Sequence, residues 1–403
     1  MERVSVEVWH QILLKVMETN DWPIFTTSCT PYTVLGFTYL HNWLERDGGP
    51  YLDYLAQRRR LRLVCRAWNE FVLFTSHRWL LLGDYSPMYN LDPTTIRAKG
   101  GVGPIEILST EIRSKEFVTP VLSWASHILK RPASQSPLRC YILHLSTHTP
   151  VYNLVNLLVG RTTTQDPECT NTNTTLRLLS ISTSSNNSIS FSQISRTFTG
   201  LRSLFLSGFT AVPQQPLTLA HLEVLYVEIV WEKWEDLQRS FETWHTPALR
   251  HVRLSSSSTQ LRDLIDHFLG RYAHQIESLV LFCYYSLLLD LPPGFWAQFT
   301  ALRLLGLSDR TLKNKEWSGW SVVPPPTHPC RYLLCHFVCP VESELDWLAE
   351  RVVNDIRARW TWDDGVKLVV GHVYANQFYV VKNIRGDPSI ANMERNIGVL
   401  PEL

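Results

Sequence analysis

Long hydrophobic runs are missing from this sequence. No stretch approaches the roughly 18 uncharged apolar residues that a membrane span requires, so none is expected. The N-terminus reads MERVSVEVWHQ and carries charge inside its first apolar stretch, which does not fit a secretory signal. An excess of charge of one sign is missing too. Lys and Arg number 38 against 37 Asp and Glu, for a formal net charge of +1. That balance gives neither nucleic acid nor an anionic membrane a reason to be the main partner. There is no cysteine framework. The eight cysteines, at 29, 65, 140, 169, 283, 330, 335 and 339, are scattered, unlike the dense spacing of small disulfide-built secreted domains. The expected compartment is cytoplasm or nucleus.

Catalytic signatures are also absent. No G-x-S-x-G, H-E-x-x-H or G-x-x-x-x-G-K-[ST] occurs, so the common nucleophile, zinc and phosphate-loop arrangements are not indicated. The glycines of Lys99-Gly100-Gly101-Val102-Gly103-Pro104 precede no Lys-Ser/Thr pair and read as a turn. Asp363-Asp364-Gly365 is turn chemistry as well. His328, Cys330, Cys335, His336 and Cys339 are the richest metal candidates, since soft ligands at short range suit zinc. No C-x-x-C accompanies them, and Cys330 and Cys335 occupy apolar strand positions. Buried structural cysteine is therefore the reading taken, and neither metal nor cofactor is expected. Arg58, Arg59, Arg60 and Arg62 read as the solvated opening of a helix. The chain is not expected to be an enzyme.

What the sequence has is a repeat. Hydrophobic residues make up 45% of 403 residues, enough for a sizeable core. The order apolar-x-x-apolar-x-apolar occurs at Leu176-Leu179-Ile181, Leu201-Leu204-Leu206, Leu222-Leu225-Val227, Leu249-Val252-Leu254, Ile276-Leu279-Leu281 and Leu302-Leu305-Leu307. The starts lie 25, 21, 27, 27 and 26 residues apart. A period in the twenties indicates stacked supersecondary units. The second and third apolar positions share a strand face because side chains alternate. Parallel strands are predicted at 177–182, 202–207, 223–228, 250–255, 277–282 and 303–308. Between them the period becomes helical. Trp234, Leu237, Phe241 and Trp244 predict a helix at 233–244, and Leu261, Leu264, Ile265, Phe268, Leu269 and Tyr272 another at 260–272. Weaker copies stand at Val102-Ile105-Ile107, Leu138-Tyr141-Leu143 and Cys330-Leu333-Cys335.

Over about residues 170–310 this pattern resembles the leucine-rich repeat family, whose signature opens L-x-x-L-x-L. The usual Asn or Cys three residues later is replaced by Ser184, Phe209, Val230, Ser257, Tyr284 and Arg310, so the array is expected to be irregular. The positions between the repeat apolars would line the concave side of such a solenoid. Phe205, Tyr226, Glu228, His251, Arg253 and Phe282, with Val280 and the smaller Ser180, Ser203 and Ser278, are the candidates for binding a target protein. A covering loop that buries them is the other reading. Ser207, between inward positions, is expected to tolerate alanine.

Ahead of the repeats, residues 4–18 and 58–73 each read as an amphipathic helix. VSVEVWHQIL at 4–13, LRLVCRAW at 61–68 and SHRWL at 76–80 resemble an F-box. Glu7, Val8, Ile12 and Leu13 match its first helix, Leu61, Val64, Cys65, Arg66 and Trp68 its second, and Trp79 its terminal tryptophan. Val4-Ser5 replaces the usual Leu-Pro, and an insert at about 19–57 separates segments that normally lie closer. The insert either covers the docking face or extends it. The fold class expected is α/β: an irregular leucine-rich-repeat solenoid of parallel strands with outer helices, preceded by a small helical F-box-like block. The block covers residues 1–82 and the solenoid 83–341. Residues 342–403, with a helix at 343–360 and a β-like stretch at 366–381, would cap its open end. The resemblance implies a substrate-recognition subunit of a ubiquitin ligase. Val8, Ile12, Leu13, Val64, Cys65 and Trp68 would dock on a Skp-type adaptor, and through it on a cullin scaffold. The repeats would hold an unknown protein substrate. A repeat scaffold without adaptor contact is the alternative.

Overall fold

The computed structural model describes residues 8, 56, 59–74, 79–83, 106–129, 138–145, 174–211, 216–229, 242–256, 269–283, 294–308, 324–337, 350, 354, 366–372, 377–381 and 393–397. Among these, 13 strands form one sheet in which spatial order follows chain order. They are β1 (Trp79–Gly83), β2 (Ile107–Ile112), β3 (Cys140–Leu145), β4 (Leu178–Ile189), β5 (Ser203–Ala211), β6 (Val224–Ile229), β7 (His251–Ser256), β8 (Ser278–Cys283), β9 (Leu304–Ser308), β10 (Tyr332–Phe337), β11 (Lys367–His372), β12 (Gln377–Val381) and β13 (Met393–Ile397). Every pairing from β1 to β11 is parallel. The last two, β11 with β12 and β12 with β13, are antiparallel. The chain is thus α/β, and the six strands predicted from the repeat are present as β4 to β9, parallel and consecutive.

The register explains why this sequence makes this sheet. The second apolar position of each repeat pairs with the next. Tyr141, Leu179, Leu204, Leu225, Val252, Leu279, Leu305 and Leu333 form one unbroken row, continued by Leu108 and Leu368. These residues are buried in a single core. Strand after strand presents leucine at the same height, so each covers the apolar surface its neighbour cannot bury alone. The row corrects one weak copy. Leu108, not Ile105, aligns with Tyr141, and Ile107 pairs with Cys140 on the other face. The copy is therefore Ile105-Leu108-Thr110, three residues later than Val102-Ile105-Ile107. Its polar third position hid it.

Helices are few. α1 (Arg66–Phe74) precedes the sheet, α2 (Lys115–Leu129) connects β2 to β3, α3 (Phe191–Thr197) connects β4 to β5, and α4 (Phe295–Gln298) connects β8 to β9. Val118, Leu122, Ala125 and Ile128 of α2 pack into the leucine core. Phe191 and Ile194 of α3 and Phe295 of α4 do the same. Ser190 caps α3 by accepting from the Gln193 backbone N–H at 3.4 Å, the usual satisfaction of an orphan helix donor. The helix predicted at 260–272 is corrected where it is described. Its end is two 3-10 turns, Leu269–Arg271 and Ala273–Gln275. Of the helix predicted at 233–244, Glu242 is helical and Trp244 is not. The remainder of both lies outside the described residues. Of the predicted 343–360 helix, Glu350 and Asn354 are described, and both are helical.

The helix predicted over 58–73 is two pieces. Residues 59–62 are helical, Leu63 and Val64 form a turn, and α1 begins at Arg66. Trp79, matched above to the end of an F-box, starts β1, so the sheet begins there.

The second face of the sheet is also covered. Val280, Leu304, Leu334 and Val369 form a separate buried cluster, with Tyr332 packed against it. All six residues of β2 are buried. Parallel sheets covered on both faces are the rule in α/β proteins. An open concave surface is not what these strands present.

Candidate functional site

Two surfaces follow from the residues singled out by the sequence. The first lies around the break between residues 62 and 66. On a continuous helix Leu61, Val64, Cys65 and Trp68 would share one face. The turn separates them: Leu63 N–H donates to Arg60 O at 3.1 Å and Val64 N–H to Leu61 O at 3.2 Å. Leu61 is buried, while Leu63 is 85% and Val64 57% exposed. Cys65 is exposed and Trp68 half-buried. Val8 is exposed as well. Ile12 and Leu13 lie outside the described residues. The surrounding polar groups are tied to one another. Arg62 Nε donates to Asn69 Oδ1 at 2.8 Å, and Arg66 Nε to Glu70 Oε1 at 2.9 Å, one helical turn on. Large apolar side chains held in water beside a polar rim have the composition of a docking surface.

The second surface is the face opposite the leucine row. Here the structure brings Phe205, Tyr226, Glu228 and Arg253 together, on three neighbouring strands. Phe205 stacks on Tyr226 with ring centroids 6.0 Å apart. The Arg253 guanidinium lies over the Tyr226 ring, 5.0 Å from its centroid. Tyr226 OH donates to Glu228 Oε2 at 3.2 Å, and Ser207 Oγ donates to the same oxygen at 2.6 Å. His251 stands two residues before Arg253 on β7. Its Nδ1 is 3.2 Å from Ser278 Oγ on β8. Burial pushes its imidazole down to about 4, with Glu277 pulling upward and Arg250 adding to the depression. Phe282 pairs with Ser255 across β7 and β8.

This cluster is not open. Phe205 is 2%, Tyr226 1% and Arg253 2% exposed, and His251, Val280, Ser180, Ser203 and Ser278 are buried too. Glu228 and Ser207 are half-buried. Of the two readings the sequence leaves open, an exposed patch or a covered one, the covered one holds for Phe205, Tyr226, His251 and Arg253. A buried guanidinium over a tyrosine ring is a desolvated cation–π contact, worth about 2 kcal/mol or more. The tyrosine links that cation to a carboxylate on its far side. The arrangement stabilises and orients these side chains. No group of three or more metal-ligating side chains occurs among the described residues. His328 Nε2 lies 3.1 Å from Phe299 O, and the Cys330 N–H donates to His328 Nδ1 at 3.1 Å. Burial raises the Cys330 thiol to about 12, far from thiolate reactivity.

The sequence reading passed over one regular feature. The residue after the first apolar position of each repeat is charged: Glu106, Arg139, Arg177, Arg202, Glu223, Arg250, Glu277, Arg303 and Arg331. The signal was L-[R/E]-x-L-x-L, visible once the copies are aligned. Among the described residues no helix is long and apolar enough to cross a membrane.

In comparisons with known proteins, no family model matches this chain and no curated protein is similar to it.

Proposed function

We propose that this protein is the substrate-recognition subunit of a cullin-type ubiquitin ligase, acting in the cytoplasm or nucleus. It binds a Skp-type adaptor through its N-terminal helical block and a target protein through its repeat region. The observation that carries the reading is the exposure of Leu63 and Val64 within the segment LRLVCRAW, the most specific F-box-like motif of the chain. Apolar side chains are held out of a core there although the leucines described in the repeat region are buried. Val8, exposed on the other F-box-like segment, supports the same face. The irregular parallel array behind it, which resembles leucine-rich repeats, has the domain order of adaptor-bound receptors.

Binding of the full chain to a purified Skp-type adaptor, followed by calorimetry, tests the reading. Wild type should bind with little dependence on salt, because the anchors are uncharged. Val64→Asp should abolish binding by placing an unpaired charge in the contact. Val64 is more than half exposed, so circular dichroism should show the variant folded. Ile12→Asp should behave likewise. A wild-type chain that does not bind leaves the repeat scaffold as the reading.

A further inference from the structure

The charged row at the strand entrances is a built surface. At each step the backbone carbonyl of one row residue accepts two N–H groups from the next repeat. Arg139 O takes Arg177 N–H at 2.8 Å and Leu178 N–H at 3.0 Å; Arg177 O takes Arg202 N–H at 2.8 Å and Ser203 N–H at 2.9 Å. The same pairing recurs from Glu106 to Arg331. These bonds hold consecutive row residues at the strand spacing of about 4.8 Å.

The charges do not cancel. The row carries six arginines against three glutamates in a chain whose net charge is +1. Arg202 has Glu223 at 3.7 Å and Arg250 has Glu277 at 3.0 Å. Arg139, Arg177, Arg303 and Arg331 have no carboxylate within salt-bridge distance among the described residues. Arg177 donates instead to Gly200 O at 2.8 Å, which orients the guanidinium without neutralising it. Arg177, Arg303 and Arg331 are exposed and Arg139 half-buried. Like charges on adjacent strands oppose folding, and Arg139, Arg177 and Arg202 follow one another directly before β3, β4 and β5 without interruption. A row that keeps Arg177 exposed and Arg139 half-exposed, neither with a carboxylate among the described residues, on a locked backbone, is organised to receive negative charge.

We propose that this row docks an acidic segment of a partner protein, with Arg139, Arg177 and Arg202 as its principal contacts. The spacing of the arginines is close to the 5–6 Å between side chains one helical turn apart, so an acidic helix face can meet them one for one. Glu223 and Glu277 interrupt the positive row. They repel a continuous phosphate backbone but pair with basic residues of a mixed-charge protein, which favours protein over nucleic acid and sets the register. The inference goes beyond adaptor binding and uses none of its residues.

The probe is a fluorescein-labelled oligoglutamate peptide, titrated with the full chain and read by anisotropy at low and high salt. A labelled oligoglutamine peptide and a single-stranded oligothymidylate serve as comparisons. Wild type should bind oligoglutamate and not oligoglutamine, with affinity falling as salt rises. Arg139→Gln/Arg177→Gln should bind about tenfold more weakly, the loss of two exposed ion pairs. Arg139→Lys/Arg177→Lys should retain most of the binding, and Lys115→Gln, past the end of β2 opposite to Glu106, should retain all of it. Adaptor binding of the Gln pair should be unchanged, which separates this surface from the N-terminal one. Absence of oligoglutamate binding by wild type overturns the proposal. So does equal weakening by Lys115→Gln, and so does tighter binding of oligothymidylate than of oligoglutamate.

Discussion

At the scale of single residues, the face of the sheet opposite the leucines departs most from what the sequence suggests. Ser207 looks inert by alternation, yet its hydroxyl donates to Glu228 Oε2 at 2.6 Å. A hydrogen bond to a carboxylate contributes more than a neutral one, about 1.5–3 kcal/mol. Ser207→Ala should therefore lower stability by an amount in that range, where alternation alone predicts none, and urea unfolding measures it. Tyr226→Phe should cost less, because Glu228 keeps its contact with Ser207. His251 supplies a pH dependence. Its folded value, about 4, lies below the usual 6.5 because burial disfavours the cation. The unfolded chain thus binds more protons between these values, so the contribution of His251 is complete above about pH 6.5 and is lost as pH falls toward 4. His251→Gln should flatten the stability profile within that window. Part of the slope should remain, since burial lowers His328 in the same direction. A profile unchanged by the substitution would show that the imidazole does not titrate on unfolding.

Among elements, legibility followed periodicity. β4 to β9 could be read because two apolar positions per strand survive in every copy and both point into one core. β3 and β10 were legible as weaker copies, with Tyr141 and Cys335 standing in for leucine. β2 was placed three residues early because Thr110 occupies its third apolar position. The α1 segment was read as continuous with residues 58–65 because Leu61, Val64 and Trp68 keep helical spacing. A local turn rotates Val64 out of that face, and spacing does not report turns. The Asn or Cys that ties repeats together in regular arrays is missing here, and several different side chains do its work. Thr175 Oγ1 donates to Leu138 O at 3.0 Å, Gln275 Nε2 to Leu249 O at 3.1 Å, and Tyr272 OH to Trp244 O at 3.2 Å. Each joins one repeat to the one before it. No common residue type marks them, so no motif could have revealed them. The buried cluster around Arg253 was half legible. Its members were named correctly as one face, but whether a loop covers that face is a tertiary fact that alternation does not carry.

For the whole molecule the distinction that matters is between a sheet with one core and a sheet with two. A solenoid with an open concave side buries only the leucine row, so substitutions on its other face cost little stability. Here Leu304, Leu334 and Val369 are buried on that other face as thoroughly as Leu204 and Leu279 are on the first. Gly306 shows how close the packing is: a Cβ there would come within 2.7 Å of Val280 Cγ2. A sheet clamped from both sides has less freedom to change curvature around a target. On the function proposed above, target recognition moves from the strand face toward its rim, where the charged row lies. Leu334→Ala should therefore destabilise by about 2–5 kcal/mol, the range for truncating a buried leucine. Leu204→Ala on the leucine face should fall in the same range. The pair is informative because an open second face predicts a loss for Leu204→Ala and almost none for Leu334→Ala. Denaturant midpoints of the two variants against wild type decide between these architectures, and an unshifted midpoint for Leu334→Ala would show the second face to be open in solution.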